Sequence, residues 1–310
     1  MQRPNELRKM RSYRLHGLSI ESVIDLGLPE AAPAAAAIQE TVSIESGAVP
    51  RRLQRPLGSR LGFKIAHEEA IFNVSGVARF HITGGQRIAV EPAADSDPAA
   101  VRLFILGAAI GVVLHQRGFF PLHGCALALD GKGLAFLGPS ERGKSTLAAA
   151  FSEAEHKILS DDRFMLNRSS TGRYVIEPGL PIFRLRSLAA MNRQDLSAAY
   201  MAPDVDDKWS VPAAQLFSTS AVSLTSLFFL EWSNSKTTKI IRLDRFDALA
   251  FLRRDVWLNF FIKILGRESE FLAWAADLLN HVPAFVLRRP RDLAAMGDVI
   301  ACVEDHVSNL

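Results

Sequence analysis

Apolar and polar residues alternate with a period of two from residue 60 to about residue 92, the spacing of half-buried strands. Residues 62–66 and 70–74 predict two short strands, and residues 78–83 and 87–91 flank Gly84-Gly85, the composition of a hairpin connection. The period then lengthens. Asp95-Ser96-Asp97-Pro98 supplies N-cap side chains and a first-turn proline, opening a helix through the apolar run 103–114 to about Gln116, with Gly118 as its stop. Two apolar strands follow, 125–129 and 133–137, joined at Asp130-Gly131. Residues 145–154 predict a helix, and 157–159 a short strand ending at Asp161-Asp162. Residues 223–232 and 238–243 predict later strands, the first apolar enough to be central. The last third alternates helical patterns (245–252, 256–265, 268–280 and 292–307) with one strand at 284–287. The pattern predicts a mixed α/β fold without internal repeats: a β-rich N-terminal region, residues 1–95, and an α/β domain, residues 96–310.

Composition narrows the class of protein. A chain of 310 residues suits one large domain or two smaller ones, and 48% hydrophobic with 22% charged residues excludes wholesale disorder. Thirty-six Lys and Arg against 33 Asp and Glu leave a charge of +3, too weak a bias to call for a nucleic-acid partner. Cys125 and Cys302 cannot make a cross-linked scaffold, which fits a reducing, cytoplasmic setting. The twelve-residue run 103–114 would make about 18 Å of helix against the roughly 30 Å of a bilayer core, so a buried helix is expected and no membrane partner. No apolar stretch follows the basic residues Arg3, Arg8, Lys9, Arg11 and Arg14, so no secretory signal is expected. The segment AAPAAAA at 31–37 predicts a linker or surface turn.

The strongest chemical signal is Gly138-Pro139-Ser140-Glu141-Arg142-Gly143-Lys144-Ser145, a match to the phosphate-loop pattern G-x-x-x-x-G-K-[ST]. It follows an apolar strand and opens a helix, as phosphate binding requires. Successive backbone N–H groups make an anion-binding nest, to which the helix N-terminus adds roughly half a positive charge. Lys144 is expected to reach the β- and γ-phosphates and the Ser145 hydroxyl to ligate Mg²⁺, with Thr146 the next residue of the cradle. Glu141 is compatible with bound phosphate if it points outward or pairs with Arg142.

Asp161-Asp162 ends a short strand 17 residues after Lys144. Adjacent carboxylates point in different directions, so one can hold metal while the other accepts a proton from a substrate hydroxyl. A solvated Ser-Asp-Asp-Arg turn is the plainer reading of the same residues. His123 precedes Lys144 by 21 residues, at the start of the strand pair that leads to the loop. Arg184 and Arg186 share a face if their segment is a strand, and with Arg288, Arg289 and Arg291 they suit phosphates or a carboxylate, or an ordinary solvated surface.

Together His123-Gly124, the glycine loop and Asp161-Asp162 resemble the HPr kinase/phosphorylase family, which is related to ATP-dependent phosphoenolpyruvate carboxykinase. That resemblance implies a mixed-sheet P-loop kinase domain over residues 96–310. It implies ATP and Mg²⁺ as cofactors, Asp162 as proton acceptor, Asp161 and Ser145 at the metal, and His123 and Lys144 in the active site. The sequence departs from the family in two places. Phe183-Arg184-Leu185-Arg186 replaces its acidic second signature, and Thr146 stands where the bacterial HPr enzymes usually carry Glu. Residues 77–80, 106–107, 117–118, 122–124, Lys208 with Val211-Pro212, and 287–290 are similar to a branch that includes the tailoring kinases of lasso peptides. The expected activity is phosphorylation of a serine hydroxyl on a peptide or protein, above all a lasso-type precursor peptide, by an enzyme that could form homo-oligomers. The alternatives are a small-molecule metabolic kinase and a nucleotide-binding switch without transfer.

Overall fold

The computed structural model describes residues 9–31, 41–188, 191, 199–201 and 207–309. The stretch 32–37, Arg3 and Arg8 therefore lie outside the described residues. The chain divides into two compact units, residues 1–119 with 260–267, and residues 120–259 with 268–310.

The first unit is built on β1 (Arg11–Leu15), β2 (Leu18–Ser22), β3 (Val42–Ser46), β4 (Gly58–Arg60), β5 (Phe63–Ile65), β6 (Glu69–Val74), β7 (Ala78–Thr83) and β8 (Arg87–Pro92). They form one sheet in the order β1-β2-β3-β8-β7-β6-β5-β4. The expected hairpin stands, with Gly84 and Gly85 both left-handed between β7 and β8. The hairpin β1–β2 has no counterpart in the expectations: it turns on His16 (φ 54°) and Gly17 (φ 76°), a pair of left-handed residues signalled only by one glycine.

The long apolar helix belongs to this unit, so the division falls at 119/120 where the sequence pattern set it at 95/96. It runs as α1 (Pro98–Phe104), a π-helical turn (Ile105–Ala109) and α2 (Ile110–Gln116). The Asp97 carboxylate caps it, accepting the Ala99 N–H at 2.8 Å. At 19 residues, Pro98–Gln116 is long and apolar enough to cross a membrane by length and composition, unlike the twelve-residue run alone. Two-thirds of its apolar window is buried within the protein, with Ile105, Ala109, Ile110, Val112 and Val113 in the core. Burial, not length, identifies it as a core helix.

The second unit carries the glycine loop. Its strands are β9 (Leu122–Leu129), β10 (Lys132–Leu137), β11 (Lys157–Ser160), β12 (Arg163–Arg168), β13 (Tyr174–Glu177), β14 (Ile182–Leu185), β15 (Tyr200–Met201), β16 (Trp209–Pro212), β17 (Val222–Ser233), β18 (Lys239–Arg242) and β19 (Ala284–Pro290). Among the described residues these form a mixed eight-stranded sheet and a small sheet, β14-β16-β15. Strand β17 is central, as its apolar run predicts, pairing in parallel with β10 on one side and β19 on the other. Strand β9 runs antiparallel to both β10 and β11. The C-terminal ends of β10, β11, β17 and β19 and the start of β9 consequently share one end of the sheet, where open α/β sheets bind ligands.

Both faces of this sheet are covered. In register across the three parallel strands lie Phe136, Phe228 and Phe285, with neighbouring rings stacked at 5.1 and 5.5 Å. Leu147 and Phe151 of α3 (Lys144–Glu153) and Val299 and Val303 of the C-terminal helix Met296–Ser308 join the same core. On the other face Phe229 meets Phe251 of α4 (Arg245–Asp255) at 5.1 Å. The helical pattern expected at 256–265 shrinks to Phe260–Ile264, because Val256 is extended (ψ 127°) and Leu258 is left-handed (φ 51°). The short strands β12 to β16 escape periodicity because most offer four residues or fewer.

Gly124 is fixed by close packing. A Cβ on it would sit 2.5 Å from the Phe136 carbonyl oxygen and 2.7 Å from Leu137 Cδ2, against the strand that leads into the glycine loop. Backbone cannot yield as a flexible side chain does, so Gly124→Ala should lower unfolding free energy by about 2 kcal/mol or more. Urea unfolding of the variant beside the wild type measures this, and equal midpoints would refute the packing account.

Candidate active site

The loop 138–143 leaves β10 and enters α3 with Gly143 as its N-cap in the left-handed region, φ 72°. Gly138 (φ 147°) and Glu141 (φ 67°) are also at positive φ, so the loop turns back on itself and the first amides of α3 are left without intrahelical partners. Lys144 is buried, and its Nζ donates to the carbonyls of Gly138 at 2.7 Å and Pro139 at 2.9 Å. Burial lowers the pKa of this ammonium, opposed by nearby Asp255 and Asp162. The loop, Lys144, Ser145 and Thr146 line a cavity of about 480 Å³, with His123, Asp162, Arg184, Arg186, Lys208, Trp232 and Arg289 among the residues facing them.

The two carboxylates are neighbours in sequence and opposites in environment. Asp161 is 3% exposed. Its Oδ2 accepts the Arg184 backbone N–H at 2.9 Å, while Oδ1 is buried with no partner. Burial pushes its carboxyl up to about 6, against the Arg184 bond and the Ser145 hydroxyl, and with Asp162 adding to the rise. Asp162 turns through φ 91°, a costly conformation for a side chain with a Cβ, and swings its carboxylate into the cavity. Its Oδ2 accepts from Arg163 Nε at 2.9 Å and Nη2 at 2.5 Å. Burial disfavours its charge, yet Arg163, His123 and Lys208 outweigh that and hold its carboxyl well below the usual range.

His123 closes this corner. Its Nδ1 is 2.9 Å from the Asp162 carbonyl oxygen and 3.5 Å from Oδ1. A carbonyl can only accept, so Nδ1 carries the proton and Nε2 is left as an acceptor. Burial pulls the imidazole down to about 4, against the pull of Asp162 and helped by Lys144, so the ring is neutral at pH 7. Trp257 forms the wall behind, 5.4 Å from the His123 ring and 4.7 Å from the Arg163 guanidinium. Gly124 N–H also donates to the Asp162 carbonyl, at 3.1 Å, so the His-Gly pair holds the acidic turn through its backbone.

No family model matches the chain, and no curated protein matches it. Among solved structures it is similar to the Hpr(Ser) kinase/phosphatase from Coxiella burnetii, at 11% identity and a TM-score of 0.32, over 61% of this chain and 94% of that one. Likeness that loose leaves the description of the fold to the strand order itself: a mixed α/β unit with mixed sheets.

The structure brings His123, Lys144, Ser145, Thr146 and Asp162 to one cavity, with Ser140, Glu141 and Gly143 of the loop. Glu141 pairs with Arg186, Nη2 to Oε1 at 3.5 Å, and not with Arg142. Arg184 lies within β14, but its guanidinium donates to Ser210 of β16 and its contribution to the acidic pair is the backbone N–H. Arg186, just beyond the strand, also pairs with Asp207. Arg288 is exposed and pairs with Glu231, whereas Arg289 is buried against the glycine loop. Lys208, Arg163, Trp232 and Trp257 were not singled out as site residues. Lys208 acts electrostatically on Lys144, His123 and both aspartates, but a lone lysine after an acidic pair carries no local signal of that.

Among the described residues no group of three or more His, Cys, Asp or Glu is arranged to hold a metal. Mg²⁺ does not need one: it takes one or two carboxylates together with phosphate oxygens and water. The orphaned Asp161 Oδ1 beside Ser145 fits that partial set. Because the folded chain raises Asp161 above its ordinary value, its stabilising contribution is present below pH 4 and lost as pH rises through 6. Asp161→Asn should therefore stabilise the metal-free protein by about 1–3 kcal/mol at pH 7.5 and hardly at all at pH 4. Millimolar Mg²⁺ should narrow the difference at pH 7.5 by stabilising only the wild type. Urea unfolding at the two pH values, with and without Mg²⁺, tests this, and a destabilised Asn variant at pH 7.5 would refute it.

Proposed function

We propose that the second unit is an ATP- and Mg²⁺-dependent kinase that phosphorylates a serine hydroxyl of a peptide or protein. The observation that carries this reading is the sharing of one cavity by the glycine loop with Lys144 and by the carboxylate of Asp162. A phosphate-binding cradle alone supports binding. A carboxylate facing the same space supports delivery of an acceptor to the terminal phosphate.

Each residue then has a physical task. Amides at the start of α3 and the Lys144 ammonium bind the β- and γ-phosphates, Lys144 exchanging its two carbonyl partners for phosphate oxygens. Asp161 and Ser145 would hold Mg²⁺, which when bound offsets charge on those phosphates. Asp162 uses Oδ2 on Arg163 and keeps Oδ1, near neutral His123, for the acceptor hydroxyl. A carboxylate of depressed pKa is a weak base, but phosphoryl transfer is largely dissociative, so orienting the hydroxyl counts for more than early proton removal. Lys208 adds positive charge where negative charge moves. By the resemblance to HPr-type kinases of lasso-peptide clusters, the acceptor we favour is the C-terminal serine of a lasso-type precursor. Its carboxylate would compete with Asp207 and Glu141 for Arg186.

The Arg163 clamp on Asp162 also favours a second reading, a nucleotide-binding switch that transfers nothing. Mass spectrometry separates the two: purified protein, ATP·Mg²⁺ and serine-ended peptides should yield a phosphate mass shift on peptide. Lys144→Ala should lower that transfer by about 100-fold or more, the scale of losing one charge-stabilising group. Asp162→Asn should lower kcat while leaving ATP affinity within about twofold. Tight ATP binding with no phosphorylated product from peptide or small alcohol would hand the case to the switch.

A further inference from the structure

Beside the glycine loop sits a buried cation that has no counterion among the described residues. Arg289 is 1% exposed, the largest fully buried side chain among the described residues. Its Nη2 donates to the carbonyls of Arg142 at 2.9 Å and Gly143 at 3.2 Å, and its Nε has no partner. Among the described residues no carboxylate pairs with it. The guanidinium instead lies 4.3 Å from the ring of Trp232, its neighbour in register on β17. A buried charge normally brings a partner of opposite sign, because desolvation is otherwise uncompensated.

The two carbonyls belong to the peptide units whose N–H groups are those of Gly143 and Lys144. In a planar trans peptide the C=O and N–H point in opposite directions. Arg289 holds the Arg142 oxygen and, together with the Leu147 N–H at 2.9 Å, that of Gly143, which turns both N–H groups away from the guanidinium in a loop whose Gly143 and Lys144 line the cavity. Gly143 is matched to this contact: a Cβ on it would lie 2.5 Å from Arg289 Nη2.

We propose that Arg289 is a positioning residue that aims the amides of Gly143 and Lys144 at the phosphate chain of the bound nucleotide, held in its own place by Trp232. This rests on the nucleotide-binding reading and adds to it a residue 145 positions beyond Lys144. The bound phosphates complete the charge balance that Arg289 begins.

The test titrates inorganic tripolyphosphate, and separately adenosine, into the wild-type full chain and into Arg289→Met, Arg289→Lys and Trp232→Leu. Arg289→Met should raise the tripolyphosphate Kd about 10- to 100-fold, a change of about 1.4–2.7 kcal/mol, with adenosine unchanged. Arg289→Lys and Trp232→Leu should give smaller increases in the same direction. Amide proton resonances of Gly143 and Lys144 should shift downfield with tripolyphosphate in the wild type, and this shift should disappear in Arg289→Met. A merely structural residue would weaken both ligands together, and that result overturns the proposal. A folded Arg289→Met with wild-type Kd and amide shifts overturns it too, while leaving the nucleotide reading intact. If Arg289→Met does not fold, unchanged Kd in both other variants decides against it. A wild type that binds no tripolyphosphate overturns both readings.

Discussion

The glycine loop is built around two buried cations, Lys144 and Arg289, that make no ion pair among the described residues. Unpaired burial costs several kcal/mol per charge unless dipoles compensate. The compensation comes from four loop carbonyls, those of Gly138 and Pro139 on Lys144 and of Arg142 and Gly143 on Arg289. Turning those oxygens toward the cations points the N–H groups of Ser140, Gly143 and Lys144 away from them, while the Gly138–Pro139 peptide has no N–H to offer. The loop is thus polarised before any ligand arrives, which is the kind of preorganisation that makes charge stabilisation effective.

The acidic pair follows a complementary logic. One unusual backbone torsion at Asp162 separates two consecutive carboxylates, sending one into the interior and the other to an arginine. The interior one is costly to ionise, and the exterior one is hard to protonate. Two residues of one type obtain different chemistry from position alone, with the His123 ring and the Gly124 N–H holding the carbonyl of Asp162.

Much of this was legible in the sequence where the signal is local. The strand, glycine loop and helix from 132 to 153 follow from periodicity and one motif, and the acidic pair from its place at a strand end. What stayed hidden depends on distant contact. For the three arginines at 288, 289 and 291 the sequence leaves phosphate or carboxylate binding and an ordinary solvated surface both open, with the predicted strand ending at 287. In fact β19 continues to Pro290, and its alternation buries Arg289 while Arg288 faces solvent. Strands β13 to β16 are too short for a period to register, and Lys208 enters the site only through the fold. The helix at 98–116 was recognised as buried, but its membership of the first unit is a matter of packing partners that no local pattern encodes.

The dependence of the glycine loop on Arg289 has a consequence for biosynthesis. A ribosome adds roughly 5–20 residues each second, so about 7–30 s separate the appearance of Lys144 from that of Arg289. Through that interval the nascent chain carries the whole phosphate-binding motif without the side chain that orients its amides. Strand β17 must also be made and inserted beside β10 before the loop has a platform. On the proposed role of Arg289, a newly made chain would hold phosphate weakly until its last strand has paired, and fragments ending before β19 would carry the motif at reduced affinity.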